Sequence, residues 1–204
     1  IAAHFVLGPI GWTIGSAISS VVYAGITGSF KVIFGAAFGF VYAPLVITGL
    51  HHMSNAIDLQ LIADYGGTML WPMIALSNIA QGSAVLAMIY LQRKDAEAQE
   101  VNVPSCISCY LGVTEPAIFG VNLRFGKPFI MGCLGGACGA LFASITSLGA
   151  TGTGVTGIFG ILLCLNNPVG YILMFVIAFG VAFVLTWMFG YKDEVQETAE
   201  KNIE

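Results

Sequence analysis

The sequence has few charged residues. Of its 204 residues, 7 are Lys or Arg and 11 are Asp or Glu, so 9 % are charged, whereas 57 % are hydrophobic. A soluble globular domain carries roughly 25 % charged residues, because its surface must be wetted. The composition therefore excludes a soluble domain and indicates an integral membrane protein. The net charge of −4 also argues against nucleic acid as a partner.

The cysteines predict neither a disulfide framework nor a metal site. Cys106 and Cys109 form a C-x-x-C pair, but no second pair and no adjacent histidine completes a ligand set. The other three cysteines lie in apolar runs, where free cysteine behaves as a small hydrophobic residue. The G-x-G-x-x-G match at 152–157 lacks the preceding strand that a dinucleotide site needs, so we interpret it as a loop. We expect no cofactor.

Long uncharged runs predict helices that cross a membrane. A helix rises 1.5 Å per residue, so about 20 apolar residues span a hydrocarbon core roughly 30 Å thick. A fifth run is rich in glycine at small-xxx-small spacing, and we expect it to pack against other helices. The fold class is therefore all-α, a polytopic transmembrane helical bundle. The predicted spans are about 5–30, 32–50, 69–92 and 169–190, with the glycine-rich run at about 128–147.

Two stretches between the spans are too polar for lipid and too apolar for a surface loop. They are residues 48–68 and 101–127, and both contain Gly or Pro beside ionisable groups. Irregular backbone at membrane depth persists only where protein or a water-filled cavity satisfies its polar groups. Transporters build substrate sites near the midplane from such broken helices. We therefore predict two re-entrant hairpin regions that hold a substrate site.

The ends of the chain suggest a part of a larger membrane protein. The chain begins at Ile1 with apolar sequence and no signal peptide, and we interpret this as an N-terminal truncation. We expect a membrane domain over 1–191 and an acidic tail or linker over 192–204. The basic residues Arg93, Lys94 and Lys192 favour a cytoplasmic position for the loop and the tail.

Glu115 is the strongest candidate for a chemical role. It is the only acid within 101–127, and Pro116 follows it. A carboxylate in apolar sequence is costly to bury, so by default it faces a cavity and marks a function. Proline interrupts regular helix and so presents the neighbouring side chain. The alternative is an ion pair with Arg124 or Lys127 that only closes a hairpin.

His51 and His52 lie at the end of a long apolar run. A histidine side chain both donates and accepts hydrogen bonds near neutral pH, because its ordinary pKa is close to 6.5. Adjacent residues do not share a helix face, so we expect one ring to face a cavity and the other to bind backbone. The alternative is that each is a satisfied core residue.

A band of amides, hydroxyls and one acid surrounds these residues in the sequence. Sugars are bound by such groups, because each sugar hydroxyl donates and accepts, and leaving one unpaired costs about 1–3 kcal/mol. The alternative is that the polar groups only join helices to each other. The band consists of Asn55, Asp58, Ser77, Asn78, Gln81 and Ser83.

Two long segments resemble a known family. GLHHMSNAIDLQLIADYGGTMLWPMIALSNIAQGSAVLA (49–87) and SCISCYLGVTEPAIFGVNLRFGKPF (105–129) resemble the membrane IIC component of bacterial phosphotransferase-system sugar permeases, glucose superfamily. Within that family, 55–61 and 70–84 are most similar to the trehalose branch. Sucrose permeases are similar over the Glu115 motif and come second.

The resemblance implies a homodimeric permease in the bacterial inner membrane. It would take up a disaccharide, trehalose in the first place, and present its 6-hydroxyl to a phosphocysteine on a IIB domain, with IIA and HPr upstream. Glu115 would bind this hydroxyl and help to activate it. The resemblance and the polar band together give a substrate-binding set of His51, His52, Asn55, Asp58, Asn78, Gln81, Thr114, Asn122 and Arg124.

One departure from the family pattern limits the enzymatic assignment. The IIB phosphorylation motif is absent, since neither Cys106 nor Cys109 fits it, and no IIA histidine motif is visible. The phosphoryl donor would therefore lie elsewhere, and these residues alone would bind sugar at most.

Two alternatives of other classes remain. One is an ion-coupled secondary transporter with Glu115 and Asp58 as proton relays. The other is a purely structural membrane domain.

Overall fold

The computed structural model describes residues 8–190, with side chains from residue 13 onward. The tail predicted at 192–204 lies outside the described residues. This part of the chain is helical, and its one β-bridge, Thr68 with Ala150, is isolated. The helices are α1 (Gly8–Thr27), α2 (Lys31–Thr48), α3 (His51–Tyr65), α4 (Leu70–Leu91), α5 (Ala96–Tyr110), α6 (Glu115–Ala117), α7 (Leu123–Phe125), α8 (Lys127–Ile145) and α9 (Pro168–Phe189), with a π-helix at Ile118–Asn122 and a 3-10 helix at Gly157–Leu163.

Four of the described helices are long and apolar enough to cross a membrane, namely α2, α4, α8 and α9. They coincide with the predicted spans 32–50, 69–92 and 169–190 and with the glycine-rich run, so the prediction of an all-α membrane fold is confirmed. The run predicted at 5–30 contains α1, of which the apolar part with described side chains, Thr13–Thr27, is shorter than a span.

Helix α4 is the centre of the bundle. Of its 22 residues, 18 are buried, and it packs against α5, α8 and α9. A helix that is apolar all round is stable where neighbours surround it, which is the position that α4 occupies. Its polar side chains therefore face other protein segments, and each needs a partner.

Small residues let α2 and α9 approach α8 closely. A Cβ added to Gly39 on α2 would lie 2.5 Å from the Cβ of Ala140 and 2.6 Å from the carbonyl oxygen of Gly136. A Cβ on Gly135 would lie 2.6 Å from the Cβ of Ala182 on α9. The glycine spacing of α8 thus serves backbone packing, as we predicted from the sequence.

Two helical hairpins coincide with the two polar stretches. The first reverses at Gly49 between α2 and α3, and the second at Gly112 between α5 and α6; both glycines have positive φ, 76° and 107°. Non-glycine residues adopt this conformation only with strain, so glycine permits both reversals.

The hairpins approach from opposite ends of α4. Helix α5 runs back along α4, since the Sγ atoms of Cys106 and Cys109 donate to the carbonyls of Gly82 and Asn78 respectively. Helix α3 instead runs towards the start of α4, where Asp58 binds Thr68. The two hairpin tips consequently meet beside the first half of α4.

Candidate functional site

A cavity of about 200 Å³ lies where the hairpin tips meet. Its walls come from the end of α2, the start of α3, the first half of α4, the tip of the second hairpin and the glycine-rich segment before the 3-10 helix. The lining residues are Tyr42, Val46, His51, His52, Asn55, Trp71, Ile74, Asn78, Gly112, Thr114, Glu115, Gly154 and Thr156.

Glu115 is half-exposed, with 47 % of its side chain accessible, and it lines this cavity. Its Oε1 lies 3.8 Å from Nε2 of His51, which belongs to the other hairpin. The carboxylate therefore faces the cavity and the histidines. Arg124, one of the cations considered as an ion-pair partner, lines a different cavity.

Both histidine rings line the cavity, with their centroids 4.0 Å apart. The sequence predicted that one ring would face a cavity and that the other would bind backbone, whereas both rings line the cavity. The reason is that α3 begins at His51, directly after the left-handed turn at Gly49, so both side chains project from a helix end that the cavity surrounds. Burial, and then the neighbouring His52, lower the pKa of His51, so the imidazole of His51 is neutral at pH 7.

Thr114 and Asn78 line the cavity, but their polar groups bind each other. The Thr114 hydroxyl donates to Oδ1 of Asn78 at 2.5 Å. Nδ2 of Asn78 donates to the carbonyl oxygen of Gly112 at 3.1 Å and to Oγ1 of Thr156 at 2.9 Å. Asn55, which also lines the cavity, makes no such contact within the described structure.

Gln81 and Asn122 lie inside the protein, away from the cavity. Both are fully buried, and Nδ2 of Asn122 donates to Oε1 of Gln81 at 2.7 Å and to its carbonyl oxygen at 3.0 Å. The amide of Gln81 also donates to the carbonyl oxygen of Phe129 at 3.3 Å. These two amides join the second hairpin and α8 to α4, so we remove them from the predicted sugar-binding set.

Asp58 and Arg124 also lie apart from the cavity. Asp58 is 0 % exposed, and its Oδ1 accepts from Oγ1 of Thr68 at 2.5 Å. Arg124 is exposed at a second cavity of about 170 Å³ beside the α4–α5 loop, which Gln92 and Asn102 also line. Neither side chain reaches the groups around Glu115, so neither belongs to the candidate site.

Seven lining residues were absent from the predicted site; they include two aromatic residues, Tyr42 and Trp71, and two residues of the glycine-rich segment, Gly154 and Thr156. The two aromatic residues lie in apolar helices, where nothing distinguishes them from core residues. The other two lie in the segment that we interpreted only as a loop. The one available signal was the hydroxyl of Thr156 in a glycine-rich segment between helices, and only its tertiary contacts show that it lies at the cavity.

The cavity combines one carboxylate, two imidazoles, amide and hydroxyl groups and two aromatic rings. Such groups donate and accept hydrogen bonds towards hydroxyls, while aromatic faces cover apolar parts of a ligand. Among the described residues, no group of three or more His, Cys, Asp or Glu side chains is arranged to hold a metal ion.

Comparison with known proteins supplies the family. The family model described as "Phosphotransferase system, EIIC" matches residues 1–136. The chain is 45 % identical to the "PTS system trehalose-specific EIIBC component" of Escherichia coli (strain K12) over 183 residues, 90 % of this chain and 38 % of that protein. The Bacillus subtilis (strain 168) protein of that name is 48 % identical over 144 residues, 70 % of this chain and 30 % of the relative.

A sucrose-specific EIIBC component from Vibrio alginolyticus is 40 % identical over 166 residues, 79 % of this chain and 34 % of that protein. No solved structure matches the chain. The chain thus spans about a third of the length of these relatives, between 30 % and 38 %. Since the family model covers more than half of the chain, and the described helices are those of a multi-pass membrane protein, the chain belongs to the phosphotransferase system EIIC family.

Proposed function

We propose that this chain is the transport part of a phosphotransferase-system permease that binds a disaccharide, trehalose first and sucrose second, in the cavity between the hairpin tips. The observation that carries the proposal is the approach of Glu115 and His51 from opposite hairpins to 3.8 Å at a cavity of about 200 Å³. Trehalose is preferred to sucrose because the two trehalose-specific relatives are 45 % and 48 % identical, against 40 % for the sucrose-specific one.

The chemistry required of these residues is positioning and charge stabilisation. Transfer of a phosphoryl group depends mainly on alignment of the attacking oxygen, because the transition state is loose. The carboxylate of Glu115 accepts the hydrogen of the sugar 6-hydroxyl and withdraws its proton as the phosphoryl group arrives. The neutral ring of His51 donates to and accepts from other hydroxyls, the ring of His52 offers its nitrogens to them as well, and Asn55 supplies a further amide.

The phosphoryl donor and the membrane setting also belong to this proposal. The relatives are EIIBC components, so we infer a IIB domain as the donor, with IIA and HPr upstream. We infer from the Arg93–Lys94 pair that the α4–α5 loop, and with it the end of α9, lies on the cytoplasmic side of the bacterial inner membrane. The working unit would be a homodimer of the full-length permease.

The test is to replace Glu115 by Gln in the full-length permease and assay membrane vesicles supplied with the phosphoryl-donor proteins. Glu115→Gln should retain trehalose binding within a few fold and lower phosphorylation by roughly 10²–10⁴-fold, the usual contribution of a positioned base. Glu100→Gln is the matched control, because it makes the same change at an exposed position of α5. Undiminished turnover of Glu115→Gln would refute the role of the carboxylate.

The substrate is settled by the same vesicles with trehalose, sucrose, maltose and glucose as competing substrates. We expect trehalose to give the highest ratio of phosphorylation rate to KM. Uptake that persists without the donor proteins and collapses with an uncoupler would instead indicate ion-coupled transport, and it would overturn the proposed mechanism.

A further inference from the structure

The side-chain amide of Asn78 already has protein partners for both of its N–H groups and for its oxygen. It is 3 % exposed, and both of its N–H groups have acceptors, the carbonyl oxygen of Gly112 at 3.1 Å and Oγ1 of Thr156 at 2.9 Å. Its oxygen accepts from Thr114 at 2.5 Å. An amide that is satisfied in this way by protein groups serves to hold those groups in place.

The groups that Asn78 holds belong to two separate walls of the cavity. Gly112 and Thr114 form the tip of the second hairpin, immediately before Glu115. Thr156 belongs to the glycine-rich segment on the far side, and its hydroxyl also donates to the carbonyl oxygen of Gly112 at 3.2 Å. A Cβ at Gly112 would overlap Oγ1 of Thr156, so glycine permits this contact.

The glycine-rich segment is itself fixed to the helix bundle. Nε1 of Trp71 donates to the carbonyl oxygen of Val155 at 2.8 Å, and the hydroxyl of Tyr171 donates to that of Gly157 at 2.5 Å. Asn78 therefore connects the hairpin tip to a wall that α4 and α9 already hold.

The carboxylate of Glu115 depends on its backbone for position. Within the described residues no donor forms a hydrogen bond with it, and Nε2 of His51 lies 3.8 Å from its Oε1. Whatever fixes residues 112–114 consequently fixes the carboxylate. Displacement of a catalytic group by about 1 Å can lower a rate about 10²-fold.

We infer that Asn78 is a positioning residue for Glu115: it ties the tip of the second hairpin to α4 and to Thr156, and so sets the place of the carboxylate in the cavity. This inference rests on the proposed function of Glu115. It replaces the direct sugar contact that the sequence predicted for Asn78.

The experiment is a double-mutant cycle on phosphorylation turnover of trehalose in vesicles that contain the full-length permease. Asn78→Ala should lower turnover by about 10–100-fold in the wild-type background. In the Glu115→Gln background the same substitution should change turnover by less than about 2-fold, because the group that it displaces has already lost its function.

Asn102→Ala is the control, since Asn102 is equally buried and binds Gln92 at the far end of α4. Any loss that it causes should be the same in both backgrounds. Thr114→Val covers the case in which Asn78→Ala does not fold, because it preserves shape and removes only the bond to Asn78. It should show a smaller loss that again disappears with Glu115→Gln.

An equal loss in both backgrounds for Asn78→Ala or Thr114→Val would overturn the inference and leave Asn78 with a general structural role. A different result would refute the proposed function of Glu115, namely a Glu115→Gln variant that phosphorylates trehalose as fast as the wild type. The two failures are therefore distinguishable in one set of four rates.

Discussion

Replacement of Asp58 by Asn tests the interior of the first hairpin. Asp58 is 0 % exposed, Oδ1 accepts from Thr68, and Oδ2 has no hydrogen-bond partner among the described residues. Burial raises the pKa of this carboxyl from its ordinary value of 3.8 to about 7, and the Thr68 hydrogen bond only partly opposes this. An asparagine at this position keeps an oxygen that accepts the hydrogen bond from Thr68, and it has no carboxyl group to titrate.

The direction in which the free energy of unfolding changes with pH follows from proton binding. Between pH 3.8 and about 7 the unfolded chain has lost the Asp58 proton and the folded chain retains it, so the free energy of unfolding falls as the pH rises. A tenfold change in acidity corresponds to about 1.4 kcal/mol, and the raised pKa therefore corresponds to roughly 4 kcal/mol. Relative to the wild type, Asp58→Asn should gain about this amount between pH 4 and pH 7.5.

The assay is thermal unfolding in detergent, followed by tryptophan fluorescence across this pH range. For a chain of about 200 residues, 4 kcal/mol corresponds to roughly 10 °C in Tm. Asp64→Asn is the control, because it removes the same charge from an exposed position of α3. If the difference in Tm between Asp58→Asn and the wild type is constant from pH 4 to pH 7.5, then Asp58 is not a buried acid of raised pKa and the packing of α3 against Thr68 is misassigned.

Two further predictions follow from the site and from the packing. The pKa of His51 is lowered by burial and by His52, so affinity for trehalose, the proposed substrate, should be constant above pH 6.5 and fall below it as His51 becomes charged. His51→Asn should abolish this fall in binding titrations. Gly39→Val forces side-chain atoms against Ala140 and should lower the free energy of unfolding by about 1–3 kcal/mol, measured by denaturant titration. Gly180→Val is the control: no atom lies within 4 Å of a Cβ added at Gly180, so the free energy of unfolding should be almost unchanged. Equal losses for the two glycines would contradict the packing argument.

The membrane helices and the hairpins were predictable from the sequence because each depends on local composition. Uncharged runs of the length of α4 and α9 have few alternatives to a buried or lipid-facing helix. The reversals at Gly49 and Gly112 lie within polar stretches, where a break was expected. The position of Glu115 at a cavity followed from its isolation among apolar residues.

The sequence did not show in the same way which polar side chains line the cavity and which bind other groups of the protein. Asn55, Asn78 and Gln81 are similar in the sequence, yet their positions differ. Asn55 lines the cavity without a polar contact to any described residue, Asn78 connects two walls of the cavity, and Gln81 lies in the core. An amide on a helix face gives no sign of whether its partner is a sugar or a backbone carbonyl far along the chain. Thr156 was missed for the same reason, since its contacts with residues 78 and 112 are long-range.

The arrangement of the two hairpins makes the cavity depend on their relative position. His51 comes from a hairpin that packs towards the start of α4, and Glu115 from one that lies along its second half. No hydrogen bond between described residues joins the two side chains, which are 3.8 Å apart. A bound hydroxyl between them would supply the missing connection, so ligand binding should draw the two hairpins together. Binding and alignment of the reacting hydroxyl would then be one event, which is what phosphoryl transfer requires of a site that contributes position more than covalent chemistry.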